Sequence, residues 1–219
     1  TSIRSALETL SLVKTDEQRD RLTALLQQDV RRLDRLITDI SNASRLDAEL
    51  SRDRPRAVNL ATLLTEIVGV YRAGAKPGEA EVRLTLPQGD AAPVMGRDGP
   101  LGQVVRNLID NARSFSPPGG QVRVALFREE ADPLPIRIRI EDDGPGIPAD
   151  NLETVFERFY TSRPKGAAFG TNSGLGLSIV RQIVEAHGGR VWAINRAADD
   201  GQVQGARFEV ALPSVGRRP

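Results

Sequence analysis

The chain has 219 residues, enough for one large domain or one domain with a smaller element beside it. At 39% hydrophobic and 27% charged it has the composition of a soluble globular protein, and its net charge of +1 gives no bias toward nucleic acid or an acidic substrate. With no cysteine, a disulfide scaffold and a thiolate metal site are excluded, and a reducing cytoplasm is compatible. No apolar run approaches the ~20 residues that span a bilayer, and no signal peptide is visible.

The first fifty residues contain no Gly and no Pro. Ile3, Leu7 and Leu10 lie on one helical face, and Leu22, Leu26, Val30, Leu33, Leu36, Ile37 and Ile40 on another. Thr15 with Gln18 forms a capping box that starts a second helix. The spacing predicts a helical hairpin over 1–50, its first arm opening without a cap, as if cut. Such a stripe needs a partner: either the following domain or a second hairpin, giving a dimeric four-helix bundle.

Residues 51–57 read as a linker around Pro55, and 58–219 as one domain. A helix is predicted over Leu60–Ala73, then a strand at Val82, Leu84 and Leu86. A helix follows over 101–115, closed by Ser116-Pro117-Pro118-Gly119-Gly120. Val122, Val124 and Leu126 alternate, as do Ile136, Ile138 and Ile140, which puts one face on a core and one in solvent. A helix over 174–187 and strands over 191–194 and 207–212 complete an α+β sandwich, with helices on one face of a mixed sheet.

Three clusters carry chemistry. Gln103, Asn107 and Asn111 are spaced to share one helix face, where neutral amides can ligate a hard cation or donate to phosphate. Their bland reading is a polar solvent face. Glu141-Asp142-Asp143-Gly144-Pro145-Gly146-Ile147 ends an apolar strand in acids and glycines. A carboxylate there accepts a hydrogen bond from a purine amino group; alone, the segment equally reads as an Asp-Gly turn. Gly170-Thr171-Asn172-Ser173-Gly174-Leu175-Gly176-Leu177 opens a helix, a ready phosphate site. Between the last two clusters, Thr161-Ser162-Arg163-Pro164-Lys165-Gly166 reads as a lid loop.

Asn-x-x-x-Asn (Asn107, Asn111), Asp-x-Gly-x-Gly (Asp143, Gly144, Gly146), Phe-x-x-Phe (Phe156, Phe159) and Gly-x-Gly-Leu (Gly174, Gly176, Leu177), in that order, resemble the catalytic domain of sensor histidine kinases. The hairpin resembles that family's dimerisation and phosphotransfer domain. Residues 31–37 and 43–47 resemble the branch holding the envelope sensor kinases of alphaproteobacteria.

The resemblance implies the Bergerat ATP-binding fold, with ATP and magnesium as cofactors. It assigns magnesium to Asn111, the triphosphate region to Asn107, and the adenine amino group to Asp143. Gly144, Gly146 and Ile147 would shape the base pocket, with Phe115 against the nucleotide. Phe159 and Tyr160 would begin the lid, and Ser173, Gly174, Leu175, Gly176 and Leu177 would meet the phosphates. Ser114 stands where the family often has Lys, which leaves Arg113, Arg158 and Arg163 as candidates for the phosphate-contacting cation. The family's acceptor histidine would lie roughly two helical turns before Thr1. His187, the chain's one histidine, reads as a structural residue at a helix end. The resemblance further implies a homodimer through the hairpin, a response-regulator receiver domain as partner, and the cytoplasmic portion of an inner-membrane protein. Other readings are an ATPase of the same fold and a nucleotide-sensing dimerisation module. Against the first, Gly102 and Gln103 stand where such ATPases carry a water-activating carboxylate.

Overall fold

The computed structural model describes residues 15–20, 22–24, 26–27, 30, 54–88, 93–160, 174–198 and 201–215. The first hairpin arm, residues 31–50, the 161–166 loop and Ser173 lie outside them. At the start of the second arm, Thr15 Oγ1 accepts the Gln18 N–H at 3.4 Å, and the helix begins at Asp16, as the capping box requires.

The remainder is a five-stranded mixed sheet covered on one face by three helices, with a two-stranded sheet beside it. The strands are β1 (Arg56–Val58), β2 (Glu81–Thr85), β3 (Val94–Gly96), β4 (Gln121–Arg128), β5 (Ile136–Glu141), β6 (Arg190–Ala197) and β7 (Val203–Leu212). The helices are α1 (Leu60–Ala73), α2 (Asp98–Phe115) and α3 (Gly176–Ala186). The large sheet runs β2-β4-β5-β7-β6, parallel only between β2 and β4. Antiparallel β1 and β3 form the small sheet. Arg56 and Ala57, expected in the linker, belong to β1, and β3, not expected from the sequence, is too short for its alternation to have registered.

Local chemistry explains the helices. Asn59 caps α1 by accepting the Thr62 N–H, and Leu60, Leu64, Ile67 and Val68 form its buried stripe. Helix α2 starts three residues earlier than expected, with Asp98 complementing the N-terminal dipole and ion-paired to Arg56. It stops at Ser116, before Pro117, which has no N–H to continue the ladder. Helix α3 is bracketed by Gly174 and Gly188, both at positive φ.

Strand alternation then divides the sheet. Val122, Val124, Leu126, Ile136, Ile138, Ile140, Phe208 and Val210 face the helices and are buried. The other face carries ion pairs between Arg207 and Glu141 (2.6 Å), Arg139 and Glu209 (2.7 Å), and Arg137 and Asp132 (2.6 Å). Arg137 and Arg190 each lie 4.8 Å from the centre of the Trp192 ring. Trp192 therefore stands among outer-face cations, while Phe208 meets Phe156 edge-on in the core.

His187 is structural. Its Nδ1–H donates to Ile183 O at 2.7 Å, which leaves Nε2 to accept the Arg97 N–H at 3.2 Å. The ring thereby ties the end of α3 to the start of α2. It packs so closely on Gly96 that a Cβ there would meet the ring at 2.8 Å.

Candidate nucleotide site

Helix α2 forms one wall of the site. Gln103, Asn107 and Asn111 are half-buried along it, beside the buried Val104, Val105, Leu108 and Ile109. Asn107 Nδ2 donates to Gly176 O at 3.0 Å, fastening the first turn of α3 to the amide row. Asn111 makes no side-chain hydrogen bond among the described residues; its carbonyl accepts the Ser114 hydroxyl at 2.9 Å. A free amide oxygen on this face is a hard, neutral donor suited to magnesium. Among the described residues no cluster of three His, Cys, Asp or Glu offers the ion a rival site.

At the far end of α2, Phe115 meets the acid-glycine loop. A Cβ on Gly144 would lie 2.8 Å from Phe115 O and 2.8 Å from Asp142 Oδ1, so only glycine fits. Asn107 and Phe115 are eight residues apart, about 12 Å along the axis at 1.5 Å per residue. The amide row and the acid-glycine loop thus lie along one side of α2.

Asp142 is the acid on the helix-facing side of the sheet. It continues the inward parity of Ile136, Ile138 and Ile140, and it is the residue that satisfies Asp-x-Gly-x-Gly with Gly144 and Gly146. Only 2% exposed, its Oδ1 accepts the N–H groups of Gly144 (2.8 Å) and Ala206 (3.0 Å). Oδ2 accepts no further hydrogen bond among the described residues. Burial pushes this carboxyl above its usual range, against those two N–H donors and the Arg196 charge, with the neighbouring Asp143 charge adding to the rise.

For Asp143, the expected acceptor of the adenine amino group, the fold gives a different setting. Asp143 turns to the outer face, where it accepts from Arg123 (2.8 Å), Arg196 (3.0 Å) and the Gln121 N–H (2.9 Å). Partial burial raises its pKa, but those three donors outweigh it and hold the carboxyl below the usual range. Arg113 likewise points away from the amide row. Two residues beyond Asn111 is roughly 200° around a helix, so the guanidinium leaves the amide face. It pairs with Glu79 and lies 5.4 Å from the centre of the Tyr71 ring. Arg158 is exposed, and Arg163 lies outside the described residues.

The other expected residues fall around the same loop and the start of α3. Gly146 takes φ 78°, and a Cβ there would lie 2.8 Å from Asn195 Oδ1. Ile147 packs on the core and is held by Asn195 through both backbone groups. Phe156 is buried, whereas Phe159 is 63% exposed with φ 65°, its N–H donating to Gly174 O at 2.9 Å. Tyr160 and Leu177 pack partly against the core, and Leu175 is buried at the start of α3.

Three residues escaped the sequence reading: Asn195, Arg196 and Gly205. All three reach the acid-glycine loop from strands more than forty positions away. A single sequence carries no signal for that, apart from the unpatterned polar pair at the end of β6.

The helix-covered mixed sheet with these elements defines an ATP-binding α/β sandwich of the Bergerat type. Residues 96–216 match the family described as histidine kinase-, DNA gyrase B- and HSP90-like ATPase, and the chain belongs to that family. Its relatives are sensor kinases. It is 48% identical to the sensor protein ChvG of Rhizobium meliloti over 98% of this chain and 38% of that protein. It is 46% identical to ChvG of Agrobacterium fabrum, over 98% of this chain and 37% of that one. The branch expected from residues 31–37 and 43–47 is the one in which these relatives fall. Among solved structures, mycobacterial sensor histidine kinase MprB shares 32% identity, covers 73% of this chain and 97% of its own, and has a TM-score of 0.58. Full-length ShkA in complex with AMPPNP shares 25% identity, covers 96% of this chain and 42% of its own, and has a TM-score of 0.67. The chain thus spans about two fifths of the length of the ChvG relatives. No helix among the described residues is long and apolar enough to cross a membrane.

Proposed function

We propose that the chain is the catalytic core of a sensor histidine kinase, which binds Mg-ATP and transfers the γ-phosphoryl to a histidine for relay to a response-regulator aspartate. One observation supports this reading: α2 carries Asn107 and Asn111, meets the Asp142–Gly144 turn at Phe115, and is tied by Asn107 to the start of α3.

In this site the Asp142 carboxylate accepts the adenine amino group through its uncommitted oxygen. Gly144 and Gly146 let the loop approach the base, and Ile147 and Phe115 flank it. Asn107 aligns the first turn of α3, so that the backbone N–H groups around Gly174, Leu175, Gly176 and Leu177 face the phosphates, with Ser173 alongside. Asn111 holds magnesium, which supplies charge neutralisation for phosphoryl transfer when bound. Phe159 and Tyr160 begin the lid. The chain's residues position and neutralise charge; none of them forms a covalent bond. The acceptor is a histidine other than His187, whose two ring nitrogens are both engaged inside the fold.

The hairpin supplies the dimer, its stripe pairing with a second copy in a four-helix bundle. A receiver domain takes the phosphoryl group, and the core is the cytoplasmic portion of an inner-membrane protein. The test is radiolabel transfer from ATP in a chain extended at its N-terminus by the relatives' acceptor helix. Label is expected on histidine and is expected to be abolished in the Asp142→Asn, Asn111→Ala double variant. Label that persists in that variant rejects the site, and steady-state ATP hydrolysis without label favours an ATPase.

A further inference from the structure

Two consecutive side chains at the end of β6 hold the acid-glycine loop from opposite faces of the sheet. Asn195 grips the far end of the loop. Its Oδ1 accepts the Ile147 N–H at 2.7 Å and its Nδ2 donates to Ile147 O at 2.6 Å, replacing a pair of ladder bonds with one side chain. Arg196 grips the near end. Its Nη1 donates to Asp142 O at 2.6 Å, to Asp143 Oδ1 at 3.0 Å and to Gln204 O at 3.4 Å. Its Nε lies 3.7 Å from Glu141 Oε2.

The fold leaves this clasp little slack. A register shift between Arg196 and Ala197 marks a bulge, a device that re-aims side chains beside binding sites. Gly205, opposite Arg196, takes φ 143°, and a Cβ there would sit 1.9 Å from Asp142 O. The Asp142 carbonyl is thus pinned between the Gly205 backbone and the Arg196 guanidinium. Asp142 N–H donates to Ala206 O at 3.0 Å, and Ala206 N–H returns to the Asp142 carboxylate at 3.0 Å. With its peptide carbonyl, N–H and one carboxylate oxygen all fixed, Asp142 has one direction in which to aim the other oxygen.

We propose that Arg196 and Asn195 are positioning residues that set the site's discrimination among purine bases, by fixing the aim of the Asp142 carboxylate and the height of the Ile147 backbone. Neither touches the nucleotide. The inference rests on the reading of Asp142 as acceptor of the adenine amino group.

The experiment is calorimetric titration of the chain with ATP and with purine riboside triphosphate, which lacks the 6-amino group. The proteins are the wild type, Arg196→Gln, Arg196→Lys, Asn195→Ala and Asp142→Asn. The wild type is expected to prefer ATP, and Asp142→Asn to lose that preference. Arg196→Gln is expected to cut the preference on the order of tenfold, with affinity for the des-amino analogue changed less than about twofold. Arg196→Lys, which keeps the charge with a different donor geometry, is expected to restore part of it. Combined with Asp142→Asn, Arg196→Gln should cost no further preference, because both act through one carboxylate. Equal weakening of both nucleotides, or no change in either, overturns the proposal. Should Arg196→Gln fail to fold, the lysine and Asn195→Ala variants decide between the same outcomes. If Asp142→Asn retains the wild-type preference, the base-acceptor reading itself fails. If it loses the preference while the β6 variants keep it, only the positioning role fails.

Discussion

Asp142 and Asp143 are consecutive carboxylates on opposite sides of one sheet. The first is buried on backbone N–H groups on the helix-facing side; the second is paired with Arg123 and Arg196 on the outer face. The pleat alone separates them, and it gives them different tasks. Asp142→Asn is expected to raise the ATP dissociation constant on the order of tenfold or more, matching a charge-assisted hydrogen bond of about 1.5–3 kcal/mol. Asp143→Asn is expected to change it less than about threefold while costing about 1 kcal/mol of stability, as for a partly exposed ion pair. Titration calorimetry and urea unfolding of the two variants check this. A larger affinity loss from Asp143→Asn would reverse the assignment.

The two asparagines of α2 should separate in the same way. Asn107→Ala removes the bond to Gly176 O and is expected to cost about 1 kcal/mol of stability as well as ATP affinity. Asn111→Ala removes no described side-chain bond. It should leave the unfolding free energy within about 0.5 kcal/mol of wild type while abolishing the magnesium dependence of ATP binding. Titrations with and without magnesium, set beside denaturation curves, test the pair.

Gly205→Ala places a methyl group 1.9 Å from Asp142 O at a φ of 143°. Overpacking and backbone strain together are expected to cost at least about 3 kcal/mol. For a chain of this size that is a fall of roughly 6–12 °C in Tm. Gly69→Ala, where nothing lies within 4 Å of the new Cβ, is the control and should not lower Tm. Scanning calorimetry reads both.

His187 supplies a pH dependence. Burial holds its pKa below the ordinary 6.5, with the Ile183 carbonyl opposing and the Arg97 charge adding to the fall. The unfolded chain therefore binds the proton more readily than the folded one, and stability rises with pH through this window. The contribution is fully present above about pH 6.5 and is lost as pH falls through the depressed folded value. Wild type is expected to lose Tm between pH 7 and pH 5, and His187→Gln to show a shallower slope. Parallel slopes would place the dependence in the carboxylates instead.

The sequence by itself determined every element whose code is local. The stripe of α1, the Thr15 cap, the closing glycines of α3 and the alternation of β4 and β5 are periods and caps written within one helical turn or one pleat. It placed the amide row and the glycine-rich start of α3, since both are spacings along one segment. Counted on from Ile140, the same pleat also selects Asp142 over Asp143, and so does the Asp-x-Gly-x-Gly spacing, so that choice was written in the sequence although the resemblance was placed on the neighbour. Only the tertiary structure decided what crosses between segments. Arg113 turned to Glu79 and Tyr71, Asn107 to Gly176, and Asn195, Arg196 and Ala206 to a loop 48 to 64 positions away. The physical reason is that a hydrogen bond to backbone leaves no mark on its acceptor's side chain. Gly176, Ile147 and the Asp142 carbonyl offer the same backbone whatever binds them, so their partners become visible only once the sheet and helices are assembled.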